Sequence, residues 1–236
     1  MRLRDVVIGT TLMSFALTTV NGGSFSGLLA GKDRDANVAP KAKVEAPTAA
    51  LPLIAKDRVL RTAYYDTVSI LTSNNACSDF FGGPGVVDIF DQLISKARKE
   101  HFPRNIGMQL SGSTINVFNS DSKKAYRVFE RMSINTNGPF YRRKFSNWEL
   151  SMSPVGRFEP NTREARVLML LHELGHAVRG DDGDWLLPDD GRDAELSKSN
   201  TSKIERVCKD QIRDLGKAES LANTATARKM IGENKE

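Results

Sequence analysis

Apolar and polar positions along the chain change period twice, and those changes lay out its elements. Val59, Leu60, Ala63, Tyr64, Val68 and Leu71 recur at helical spacing, with a strand through 67–71 as the alternative. Asn74-Asn75 interrupts that segment. The Gly82-Gly83-Pro84-Gly85 cluster reads as a turn. Over residues 86–99, Val87, Phe90, Leu93, Ile94 and Ala97 share one side, and Lys96, Arg98 and Lys99 suit the C-terminal end of a helix. The period then shortens. Residues 106–110, 114–118, 133–135 and 148–151 read as strands between Gly, Asn and Pro signals. Ser111-Gly112-Ser113 resembles a hairpin connection, and 123–131 is either a short helix or a further strand, which gives three to five strands. Helical spacing returns after Asn161, which can cap a helix with Glu164 reaching back to it; that helix should stop near Gly180. Ser199 or Asn200 then opens a last helix carrying Ile204, Val207, Ile212 and Leu215. Strands first and a central helix afterwards predict an α+β fold, with a small mixed or antiparallel sheet packed on that helix and flanking helices around it.

The first quarter of the chain follows neither period. Met1-Arg2-Leu3-Arg4 is basic, Val6 to Val20 is mostly apolar, and Asn21-Gly22-Gly23-Ser24 follows, the layout of an export signal over 1–26. It is short and Thr-rich for a membrane span, so an N-terminal anchor is the alternative. Residues 27–55 run through Lys, Asp, Ala and Pro without a sustained period and read as a disordered linker. The folded domain is expected over 56–216, with a polar, fraying tail at 217–236. The chain has 236 residues, 39% of them hydrophobic and 27% charged, which suits a globular protein. A net charge of +5 is dispersed, and Arg142-Arg143-Lys144, its densest spot, comes with no RNA or DNA motif, so no nucleic-acid partner is expected. Cys77 and Cys208 form no Cys-x-x-Cys pair, which argues against a thiolate zinc site. In an exported chain their natural use is one disulfide joining the two ends of the domain.

The central helix carries the chemistry. Its sequence includes His172-Glu173-Leu174-Gly175-His176 inside an apolar run. Positions four apart on a helix share a face, so His172 and His176 can aim at one point. Zn²⁺ takes imidazole nitrogen readily, and Glu173 projects from the neighbouring rim, where it can act as general base on a metal-activated water. The competing reading is a pair of buried, hydrogen-bonded histidines. The chain has 3 histidines in all, and two of them fall at this spacing, which favours the metal; His101 reads as an ordinary surface residue.

A catalytic zinc site keeps three protein ligands, and the stretch after His176 offers Asp181, Asp182, Asp184, Asp189, Asp190, Asp193 and Glu195. It lacks the regular order of an EF-hand and its twelfth-position Glu, which argues against Ca²⁺. Asp182 stands where metzincins place a third ligand, although Arg179 occupies their glycine position. Glu195 lies near the spacing of the thermolysin-like Glu. A further resemblance covers more of the text: Cys77-Ser78-Asp79-Phe80-Phe81, then Leu187-Pro188-Asp189-Asp190-Gly191, Ser197, Asn200-Thr201 and Cys208. It is similar to a group of sparsely characterised exported bacterial proteins sharing His-Glu-x-x-His, and it resembles the aspzincin (deuterolysin) metallopeptidases within the zincin-like fold. The deuterolysin Gly-Thr-x-Asp signature is absent. That resemblance implies Asp190 as third ligand, ahead of Asp182 and Glu195, and a sheet edge lying beside the helix. The expectation is an exported endopeptidase, periplasmic or secreted, that binds one Zn²⁺ through His172, His176 and Asp190 and cleaves peptide or protein substrates with Glu173 as base. Tyr141 and Arg142 are candidates by type for stabilising an oxyanion. The alternative function is a catalytically inactive secreted zinc-binding or interaction module.

Overall fold

In the computed structural model of the chain, Asp57 opens the first long helix by accepting the N–H groups of Val59 and Leu60 at 2.9 and 3.1 Å. The structure describes residues 52–102, 106–119, 124–144, 150–191 and 193–233; the expected export signal or anchor at 1–26 and the linker up to residue 51 lie outside them. A short helix α1 (Pro52–Lys56) precedes Asp57, so residues 52–55, read as linker, are helical, with Ile54 buried. Helix α2 (Arg58–Thr72) buries Leu60, Ala63, Tyr64, Thr67, Val68 and Leu71. The strand alternative over 67–71 is not adopted, because Thr67 turns its hydroxyl onto the carbonyl of Ala63 at 2.8 Å and fits the helix interior. Helix α3 (Ala76–Phe80) starts on an Asn75 cap and ends in a turn where Gly82 and Gly83 take φ of 94° and 85°, angles that favour glycine.

A 3₁₀ turn at Pro84–Val86 leads into α4 (Val87–Ser95), which buries Ile89, Phe90, Leu93 and Ile94. The helix expected to reach residue 99 stops at Ser95. Its basic end is instead strand β1 (Ala97–Glu100), parallel to a long strand β3 (Lys124–Asn135). Lys96 hands its carbonyl to the N–H of Met132, so sheet pairing replaces the last helical turn. Strand β2 (Met108–Asn119) runs antiparallel to β3, giving a three-stranded mixed sheet in the order β1-β3-β2. Ser111-Gly112-Ser113 is a bulge inside β2, where the register shifts between Ser111 and Thr114, and not a hairpin connection. Gly112 has φ 86°, and the Glu130 carboxylate accepts both the N–H and the hydroxyl of Ser113 at 3.0 Å, which locks the bulge. Residues 123–131 and 133–135, read separately, belong to one strand from Lys124 onward. At the expected strand 148–151, Ser151 makes an isolated bridge to Lys144, and residues 145–149 lie outside the described ones.

The two remaining helices enclose the core. Helix α5 (Arg163–Ala177) has every residue from Val167 to Ala177 buried, and it packs on α2, α4, β2, β3 and the long helix α6 (Ala194–Glu233). A helix buried on all sides, with a largely apolar surface, must be surrounded in this way. Its cap is Thr162, whose hydroxyl accepts the Ala165 N–H at 3.2 Å, and not Asn161, which sits at φ 64° and accepts from Arg166. Helix α6 starts before Ser199: Asp193 Oδ1 accepts the N–H groups of Glu195 and Leu196 at 3.0 Å, and the helix continues through the polar segment read as a tail. Cys77 on α3 and Cys208 on α6 form a disulfide with Cα atoms 4.6 Å apart. Among the described residues no helix is long and apolar enough to cross a membrane.

Candidate metal centre

The site is assembled from α5, the loop after it and the start of α6. Arg163 clamps the first turn of α5 to α2 through paired contacts of 2.9 and 2.6 Å with Asp66, and Arg166 donates to the Phe140 carbonyl at 2.9 Å. So fixed, the helix presents His172 and His176 one turn apart on one face. Val178 ends α5 with an isolated bridge to Tyr126 of β3, which brings the sheet alongside the site.

The loop then doubles back. Leu186 N–H reaches the Val178 carbonyl at 2.9 Å and Leu187 N–H reaches the Gly175 carbonyl at 3.0 Å. The Leu187 side chain, fully buried, lies where a Cβ on Gly175 would stand, 2.7 Å from its Cγ and Cδ1. Glycine between the two histidines thus lets the loop close directly on the helix. Asn200 on α6 holds the next residues, donating to the Pro188 carbonyl at 3.0 Å and to Asp190 Oδ2 at 3.4 Å.

These contacts bring His172, His176 and Asp190 into one cluster, their ligand atoms all within 4.8 Å of one another. His172 Nε2 is 3.1 Å from His176 Nε2 and 3.1 Å from Asp190 Oδ2, and His176 Nε2 is 3.6 Å from Asp190 Oδ1. Two ligands each 2.0–2.1 Å from one ion at a tetrahedral angle stand roughly 3.3–3.4 Å apart. The observed separations bracket that value, and two imidazole nitrogens and a carboxylate are a donor set for a divalent transition metal. The residues fit a metal ion.

Charge in the cluster is strongly coupled. Burial pushes the Asp190 carboxyl up, but the hydrogen bonds and charges of His172 and His176 outweigh it and hold Asp190 well below the usual carboxylate range. Burial alone would lower the His176 imidazole; Asp190, Glu173 and Asp189 raise it. Glu173, buried on α5, is pushed up by burial and by the Asp190 charge, against the opposing pull of the two histidines.

The other residues singled out from sequence lie elsewhere. Asp182 accepts the Asp184 N–H at 3.1 Å in an exposed turn, and Glu195 is exposed in the first turn of α6. Tyr141 gives its hydroxyl to Asp57 at 2.6 Å and Arg142 donates to the Thr136 carbonyl at 3.2 Å, so neither is committed to the metal cluster. His101 is exposed near Thr136 and Asn137. Three contributors escaped sequence reasoning. Thr201 Oγ1 lies 3.0 Å from His172 Nδ1, Asn200 holds Asp190, and Arg127 Nε donates to the His176 carbonyl at 2.9 Å. The Asn200-Thr201 pair stood out in the sequence only as an expected helix start, whereas it lies inside α6, which begins at Ala194; Arg127, in the middle of a strand, carried no signal.

No family model, no curated protein and no solved structure matches the chain.

Proposed function

We propose that the chain is an exported, zincin-like zinc endopeptidase. The observation that carries this reading is the set of 3.1, 3.1 and 3.6 Å separations among His172 Nε2, His176 Nε2 and the Asp190 carboxylate, with the buried Glu173 on the same helix. His172, His176 and Asp190 would hold the ion. Zinc in that position supplies Lewis acidity, polarising the scissile carbonyl and acidifying water.

The chain's own residues do the rest. With Nε2 facing His176 and Asp190, His172 would keep its proton on Nδ1, hydrogen-bonded to Thr201 Oγ1, and that bond would fix the tautomer and the ring plane. Asn200 orients Asp190 through its side-chain amide. Glu173 takes a proton from the attacking water and delivers it to the leaving amine. Burial raises its carboxyl above the ordinary glutamate range, which makes it a stronger base than an exposed carboxylate would be. The Cys77–Cys208 disulfide suits an oxidising compartment, which supports export.

The test is zinc content and cleavage of an unfolded protein substrate by the full chain, made through an oxidising compartment as wild type and Glu173→Gln. About one zinc per chain in both, with cleavage lost only in the variant, is expected. Zinc in both without cleavage in either assigns the binding-module function instead, and no zinc in either sinks both.

A further inference from the structure

Beside the metal cluster stands a second group of polar side chains that the chemistry above does not use. Arg127 on β3 and Arg179 just after α5 both lie over the Trp185 ring, their guanidinium carbons 4.0 and 4.4 Å from its centroid. An isolated bridge between Arg179 and Trp185 and a contact of Arg179 Nη1 with the Gly183 carbonyl at 2.8 Å set the tight turn that presents them. Arg127 is tied to the metal site by its Nε bond to the carbonyl of His176.

Two like charges gathered on one indole repel, and burial of Arg127 adds to the cost. Cation–π contact offsets only part of it. Both guanidinium groups also keep a nitrogen shielded from solvent with no acceptor: Nη2 of Arg127 and Nε of Arg179. No carboxylate of the described residues forms an ion pair with either. Asp189 acts on Arg127 only through space. Buried donors of this kind ordinarily find a partner, and the planar guanidinium fork matches a carboxylate.

We infer that Arg127 and Arg179, stacked on Trp185, form a subsite for a carboxylate of the bound peptide, so that the enzyme prefers substrates with a negative charge near the cleaved bond. The inference deepens the peptidase reading and rests on it for the word substrate, but the subsite is a binding property that can be measured without turnover.

The carboxylate has two sources, an acidic side chain or a free C-terminus, and matched peptides separate them. The zinc-loaded full chain carrying Glu173→Gln and Trp148→Phe is titrated with peptides in which Glu is moved position by position against Gln, each with a free or amidated C-terminus. Trp185 emission and calorimetry report binding. The expected result is that one register of Glu, or the free C-terminus, binds about tenfold to a hundredfold more tightly than its neutral match, as charge-assisted bonds do. That advantage falls with salt and is lost in Arg127→Ala and Arg179→Ala; Arg127→Lys, which keeps charge without the fork, recovers part of it. The Arg179 side chain meets Gly183 and Trp185 in the turn after α5, so Arg179→Ala keeps the test decisive if Arg127→Ala does not fold. Equal affinities for acidic and neutral peptides, no measurable binding of any acidic peptide, or an advantage surviving both alanine variants would overturn the subsite. An acidic preference in binding, together with a zinc-loaded wild type that cleaves none of the peptides, would leave the subsite standing and fell the peptidase reading.

Discussion

Gly175 stands between the two histidines at the point where the loop carrying Asp190 touches the helix, and replacing it with alanine sets two effects of opposite sign against each other. Helix propensity favours the variant, since Gly→Ala in a helix interior gains about 1 kcal/mol. Sterics oppose it. The new Cβ would meet Leu187 Cγ and Cδ1 at 2.7 Å. A flexible side-chain end could swing aside, but Leu187 is fully buried and its own N–H is bound to the Gly175 carbonyl at 3.0 Å, so both its backbone and its side chain are held. Overpacking of this kind costs about 1–3 kcal/mol. If the loop instead lifts away, burial of the Leu187 side chain, about 1.5–3 kcal/mol, is at stake. Set against the propensity gain, the first route leaves a net loss of about 0–2 kcal/mol and the second about 0.5–2 kcal/mol, so Gly175→Ala should lose up to about 2 kcal/mol of stability in urea unfolding of the metal-free protein.

On the proposed function, the larger effect should be on zinc. Asp190 lies three residues beyond Leu187, and displacement of the loop moves its carboxylate out of the 3.1 Å contact with His172. A disturbed ligand shell typically weakens metal binding about tenfold to a hundredfold, measurable by competition with a chromophoric chelator. The variant should therefore lose more in zinc affinity than in apo stability. A Gly175→Ala protein that is more stable than wild type and binds zinc equally well would refute the reasoning, because helix propensity would then have won and the loop would not depend on that contact.

Thr201→Val removes the acceptor of His172 Nδ1 while keeping the shape of the side chain, and should weaken zinc about tenfold to a hundredfold with little change in the fold, checked by the same competition titration. Cys77→Ala with Cys208→Ala opens a loop spanning a sequence separation of 131. The chain-entropy relation puts the loss at about 5 kcal/mol, and denaturation of the double variant should show a drop of at least about 2 kcal/mol. Asp57 gives the pH test. Burial would raise its carboxyl, but bonds from Lys99 and Tyr141 win and hold it below its ordinary value. A depressed folded pKa stabilises above the unfolded value of about 3.9 and is lost as pH falls through the folded one. Asp57→Asn keeps a capping side chain and removes the charge, so it should cost about 1 kcal/mol near neutrality and progressively less below about pH 4, followed by urea midpoints across pH.

Helices were legible in two ways. The stripe of α2 can be read from spacing because the residues that face the core repeat every three or four positions, whereas α5, buried throughout residues 167–177, shows as a continuous apolar run too long for a strand. The sheet was less so. Lys96, Arg98 and Lys99 look like a helix end by charge, yet β1 forms because β3 offers an unpaired edge, and a parallel partner far away in sequence leaves no local mark. The bulge at Ser111-Gly112-Ser113 has the composition of a hairpin turn; the Glu130 carboxylate, reaching across from β3, decides between the two. Asn161 and Thr162 are both good caps, and the left-handed backbone at Asn161 hands the role to its neighbour.

The candidate site divides in the same way. His172 and His176 are four apart on one helix, so the geometry of the helix alone sets them together. Asp190 is different in kind. Seven acids follow the helix, and nothing in their spacing says which turns inward. That choice is made by Leu187 docking on Gly175 and by Asn200 holding the Pro188 carbonyl, two contacts between elements that only the packed fold brings together. The same loop that delivers Asp190 also carries Trp185, on which Arg127, bound to the His176 carbonyl, and Arg179 are gathered. One loop closure therefore sets both the position of Asp190 and the charge beside it. A change that frees Leu187 should weaken zinc and loosen the arginine pair together, whereas Arg179→Ala should alter the pair and leave zinc affinity within about twofold, since it touches none of the ligands.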